Sequence, residues 1–155
     1  MPTIDSYMKR EMITALPTET VADVAVRMRA AEVGATIVVE NNSLVGVFTE
    51  RDLLNRVVAD GCDPAKTSVG EVSTTVLQTV SPSASIRECA EKLRDHHVRH
   101  LPVVEDGVPV GIISSRDFFV EVSSQLESLI ERVRYDEELR ENLDPYDHLG
   151  GSYGR

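Results

Sequence analysis

With 155 residues, 41% of them hydrophobic, the chain is long enough for one compact domain with its own core. Twenty-six Asp and Glu against sixteen Lys and Arg leave a formal charge of −10. That charge repels nucleic-acid backbones and anionic membrane surfaces, although a local basic patch can still hold a small anion. No apolar run approaches the roughly 20 residues of a bilayer span and the opening MPTIDSYMKRE lacks a secretory apolar stretch, so the expectation is no membrane, no nucleic acid and a cytoplasmic location.

Tyr7, Met8, Met12 and Ile13 come first and read as core or interface residues. Val21, Val24, Ala25 and Met28 then recur at i, i+3, i+4 and i+7, the buried face of a helix that a Thr20…Asp23 capping box opens. Two β-type runs follow, 36–40 and 44–48, separated by Asn41, Asn42 and Ser43 as in a hairpin, and a second helix starts near Glu50. A turn-rich stretch, 59–66, carries Cys62 as an exposed thiol. The order then starts again. Ser85…Glu88 caps a helix with the stripe Ile86, Cys89, Ala90 and Leu93, strands at 101–105 and 110–113 flank Asp106 and Gly107, and a helix begins near Ser115. Leu126, Leu129, Ile130 and Val133 continue a helical stripe, and the tail 144–155, with His148, is rich in turn formers and expected to be flexible. Cys89 reads as a small buried hydrophobe, and with no CxxC or CxxH spacing neither a disulfide framework nor structural zinc is expected.

The recurrence has a fixed period. A shift of 65 positions superimposes Pro17 on Pro82, Ala25 on Ala90, Arg29 on Arg94 and Val33 on Val98, and it continues without a gap to Arg51 and Asp52 on Arg116 and Asp117. The expected organisation is a repeat at 3–58, a linker at 59–67, a second repeat at 68–123, a C-terminal amphipathic helix at 124–143 and the tail. A unit of helix, hairpin and helix cannot cover its own small sheet. Two copies are therefore expected to bury their apolar faces against each other about a pseudo-two-fold axis, in an α/β fold of α+β type.

Each copy carries Gly-x-x-Thr/Ser-x-x-Asp where its second strand meets its second helix: Gly46, Thr49 and Asp52, then Gly111, Ser114 and Asp117. Thr49…Asp52 and Ser114…Asp117 are also capping boxes, which a strand-to-helix turn uses for structural reasons alone. The same geometry suits a ligand. A helix start presents free N–H groups, and a carboxylate in its first turn can accept both hydroxyls of a ribose diol. Neither motif holds an acid–base pair or an activated nucleophile, and the chain has no P-loop and no GxGxxG turn. It is not expected to be an enzyme, and no catalytic residue is assigned.

The 65-residue duplication, the two motifs and the segment from His97 to Val104 (HVRHLPVV) together resemble a tandem pair of cystathionine β-synthase (CBS) domains, a Bateman module, over about residues 3–123. The resemblance implies a regulatory module that binds an adenosine-containing ligand (AMP, ADP, ATP, NAD or S-adenosylmethionine). It also implies a homodimer that acts through conformational change on a separate protein. Carried over by position, it implies a first nucleotide site of Thr49, Asp52, Thr79, Val80, Val98, Arg99 and His100. The second would comprise Thr14, Ala15, Val33, Gly34, Ala35, Ser114 and Asp117. Arg99 and His100 align with Gly34 and Ala35, which add no charge, so the first cleft is expected to favour phosphorylated ligands. Arg94 and His96 are read as complementing a helix C-terminus, and His96, His97 and His100 are not expected to hold a metal. The alternative is a ligand-free structural or interaction dimer whose clefts have degenerated.

Overall fold

The computed structural model describes residues 3–142, which fall into two compact units, one running to Asp117 and one from Phe118 onward. The expected tail, including His148, lies outside the described residues.

The first repeat comprises β1 (Thr14–Ala15), α1 (Val21–Ala31), β2 (Ala35–Glu40), β3 (Ser43–Thr49) and α2 (Glu50–Asp52), which runs on as a π-helical stretch, Leu53–Val58. The second comprises α3 (Val69–Val72), α4 (Ile86–Asp95), β4 (His100–Glu105), β5 (Val108–Ser114) and α5 (Ser115–Asn142). The architecture is thus mixed helix and sheet, built twice. Thr20 and Ser85 accept hydrogen bonds from the N–H groups of Asp23 and Glu88, and Thr49 forms the full reciprocal box with Asp52. Both hairpins turn through two residues of positive φ, Asn41 and Asn42 in one and Asp106 and Gly107 in the other, the geometry that matches strand twist. The C-terminal helix expected at 124–143 is not separate from the second repeat's last helix. α5 runs unbroken from Ser115 to Asn142, because no glycine or proline interrupts that stretch.

The 65-residue period reappears in the long-range pairing, with a crossover. Thr74 pairs antiparallel with Val47 of β3, and its counterpart Lys9 pairs in the same way with Ile112 of β5. The Ile4 N–H donates to Ala84 O, as the Val69 N–H does to Glu19 O. The opening segment of each repeat therefore completes the other one. Gly46 and Gly111 permit this approach: a Cβ at Gly111 would lie 2.6 Å from Met8 Sδ, and one at Gly46 2.8 Å from Ser73 Oγ. The symmetry breaks where the hairpins meet. Leu44 N–H donates to Gly107 O, but the counterpart of Leu44 is Pro109, which has no N–H to return the bond.

One core cluster packs Val21, Val24 and Met28 of α1 against Val38, Phe48, Val57, Val69 and Val72. On the opposite face of the first sheet, Ala35, Ile37 and Val47 pack with Leu77 and Ile112. Thr36 is fully buried and its Oγ1 has no hydrogen-bond partner. Its counterpart 65 positions on is the equally buried Leu101. Thr36→Val, which keeps the shape and removes the unsatisfied hydroxyl, is expected to stabilise the fold by about 1 kcal/mol in urea denaturation.

Candidate functional site

The first unit contains a cleft lined by Thr49, Glu50, Arg51 and Asp52 around the start of α2, by Thr74, Val76, Leu77 and Gln78 from the crossing segment, and by His97, Val98, Arg99 and His100 at the entry to β4. Val47 and Pro102 complete it. Both repeats contribute because the segment before α4 crosses to β3.

Of the residues expected at the first site, Thr49, Asp52, Val98, Arg99 and His100 line this cleft. Thr79 and Val80 are not among its lining residues. Val80 is 3% exposed and exchanges hydrogen bonds with the backbones of Pro102 and Val104, while the Thr79 carbonyl accepts from Lys92 Nζ. The chain lines the cleft before it turns into the core, at Thr74 and 76–78. A signal for that stretch lies in Val76, an apolar residue 86% exposed in a loop, but apolarity alone does not distinguish cleft from surface.

Asp52 is 7% exposed yet stands at the cleft wall. Its Oδ2 accepts from the Thr49 N–H at 3.0 Å and Oγ1 at 3.1 Å, and its Oδ1 receives only a long bond from Thr74 Oγ1 at 3.3 Å. Arg56 Nε lies 3.7 Å from Oδ1 and Arg56 Nη1 donates to Ser73 O. One carboxylate edge is therefore committed to the cap and the other is weakly held, which suits exchange with a ligand hydroxyl. Arg99 is exposed at the cleft and its guanidinium makes no ion pair among the described residues, leaving a fork of donors for an anion. His97, at φ 52°, is one of the few non-glycine residues in the left-handed region, where Glu32 is its counterpart.

Burial holds the His100 imidazole below its ordinary value of 6.5, with Glu50 and Asp117 pulling upward and Arg99 pushing further down. The unfolded chain takes up that proton near 6.5 and the folded chain at lower pH. Stability is thus fully present above 6.5 and is lost as pH falls from there through the folded value. Urea midpoints measured from pH 7.5 to pH 5 are expected to fall in wild type and to fall less in His100→Gln.

The residues expected at the second site divide. Ser114 Oγ donates to Asp117 Oδ2 at 2.7 Å and accepts from the Asp117 N–H at 3.1 Å. Ala15 and Val33 pack in or against the first core cluster, Ala35 is buried opposite Thr49, and the Thr14 carbonyl accepts from Arg27. An added Cβ at Gly34 would meet the Glu50 carboxylate at 3.2 Å. Gly34 and Ala35 bring no charge, but Lys9, outside the expected set, does: its Nζ reaches Asp117 Oδ1 at 3.0 Å. Burial works against ionisation of Asp117, but the Ser114 and Lys9 hydrogen bonds outweigh it and hold the carboxyl below its ordinary range. Lys9 is the counterpart of Thr74, so the two aspartates face different groups from their crossing segments.

Cys89 is fully buried and its thiol is pushed up to about 11, chiefly by burial, which leaves it unreactive. Arg94 sits in the last turn of α4 and pairs with Asp95 at 2.7 Å. Among the described residues no group of three His, Cys, Asp or Glu side chains is placed to hold a metal, and no helix is long and apolar enough to cross a membrane.

The CBS domain family model matches twice, at residues 4–59 and 69–124. The CBS domain-containing protein YhcV of Bacillus subtilis is 33% identical over 120 residues, covering 77% of this chain and 85% of its own. The crystal structure of a putative acetoin utilization protein (AcuB) from Vibrio cholerae is 32% identical with a TM-score of 0.73, over 85% of this chain and 97% of that one. The CBS domain pair of protein MJ0100, solved with 5′-methylthioadenosine and S-adenosyl-L-methionine, has a TM-score of 0.74 over 81% of this chain and 98% of that one. At 20% identity, that likeness is one of fold.

Proposed function

Because the chain belongs to the CBS-domain family, with two copies in tandem, we propose that it is a regulatory module whose cleft beside Asp52 binds an adenosine-containing ligand: AMP, ADP, ATP, NAD or S-adenosylmethionine. The repeats at 3–58 and 68–123 hold the ligand, and the protein works as a cytoplasmic homodimer that passes occupancy to a separate protein rather than catalysing a reaction. The observation that carries this reading is the cleft itself, with Thr49 and Asp52 on one wall and, on another, the guanidinium of Arg99, which makes no ion pair among the described residues. A ribose diol would replace the long Thr74 bond on Asp52, and a phosphate would meet Arg99. Occupancy acts only through a difference in affinity between two conformations, and a cleft shared by two repeats supplies one if their separation changes. MJ0100, of the same fold, holds two adenosine derivatives.

A second reading is favoured by Asp52 being buried and already capping α2, which is what a ligand-free structural or interaction dimer would retain. Titration calorimetry of refolded protein with AMP, ATP, NAD and S-adenosylmethionine separates the two. Saturable heat from at least one ligand is expected, and silence from all four refutes the sensor.

A further inference from the structure

The second unit carries an apolar seam. Phe119, Val122, Leu126, Leu129 and Val133 alternate at spacings of three and four along α5, and their exposure runs from 42% at Val122 to 71% at Phe119. This is the 3.5-residue repeat with which one helix meets another along its length, so the spacing calls for a helical partner. With these five as core positions a and d, Arg132 falls at g and Glu137 at the e position of the next heptad. A parallel, in-register pair of identical helices sets each g beside the partner's following e, giving Arg132 opposite Glu137 twice by symmetry. Both side chains are exposed and make no ion pair among the described residues. Self-pairing would also set Leu126 against Leu126 and Leu129 against Leu129. The seam ends where Asp136 takes the next d position.

We propose that α5 is a dimerisation seam, occupied by the same helix of a second copy of this chain, parallel and in register. This rests on the homodimer reading and is independent of the ligand. The seam spans 119–133, about two heptads, which is short for a coiled coil that must stand alone, so the dimer is expected to dissociate on dilution. In sedimentation velocity and native mass spectrometry on the full chain, wild type is expected as a dimer. The Leu126→Lys/Leu129→Lys variant, altered only at exposed positions, is expected to keep its circular dichroism and to raise the dimer dissociation constant at least about a hundredfold. Orientation is read in a Cys62→Ser background. On oxidation, Leu129→Cys is expected to give a disulfide-linked dimer and Ser124→Cys, on the outer face, none. A monomeric wild type, or one that associates only with another protein, overturns the proposal. A double-lysine variant that remains dimeric overturns the seam while leaving the homodimer reading intact. Dimer loss without cross-linking at position 129 overturns the parallel register.

Discussion

Asp52→Ala is expected to lower the affinity of the first cleft for adenosine and for AMP alike, by about a hundredfold or more, in titration calorimetry. The reason is the loss of two hydrogen bonds from the sugar to a carboxylate, each worth roughly 1.5–3 kcal/mol. The same substitution removes the acceptor for the Thr49 N–H and the bonded partner of Thr74 Oγ1. A folding cost of about 0.5–2 kcal/mol accompanies it, so affinities must be compared at matched folded fraction. Asp117→Ala serves as the control: it removes a carboxylate already paired with Lys9, and it is expected to leave the first cleft's affinity within about twofold. If Asp52→Ala binds adenosine as wild type does, Asp52 is a cap and nothing more.

Arg99→Ala is expected to separate phosphate from nucleoside. Affinity for AMP should fall by about ten- to a hundredfold, the worth of one charge-assisted hydrogen bond or a forked pair, while affinity for adenosine stays within about twofold. The folded state should be undisturbed, because the Arg99 side chain is exposed and makes no ion pair among the described residues, and its backbone carbonyl, which accepts from the Ser115 N–H, survives the substitution. Arg99→Lys should recover part of the loss by restoring the charge without the fork. Equal losses for AMP and adenosine in Arg99→Ala would remove Arg99 from the phosphate position. A phosphate beside His100 would also favour its protonated form, so AMP affinity in wild type is expected to strengthen from pH 7.5 toward pH 6 while adenosine affinity changes less.

Much of this was legible in the residues by themselves. The 65-residue period, the capped helices and the hairpin turns at Asn41 and Asp106 depend on contacts within a few positions, so their local chemistry names them. Thr49 and Asp52 were identifiable for the same reason, since their bond closes over three residues. Two kinds of fact needed the folded chain. The crossing of Lys9 to β5 and of Thr74 to β3 is a choice between two nearly identical partners, and no local signal distinguishes a segment that completes its own repeat from one that completes the other. The crossing brings Lys9 to Asp117, and the path of the other crossing segment, which turns into the core at Val80, leaves Thr74 and 76–78 lining the cleft in place of Thr79 and Val80. The buried, unpartnered hydroxyl of Thr36 likewise emerges only from packing. Local pattern determined which elements form, because helices, turns and caps are stabilised over short separations. Which side chains share a cleft was decided by the pairing of strands far apart in the chain, where the free energy depends on how two surfaces fit rather than on spacing.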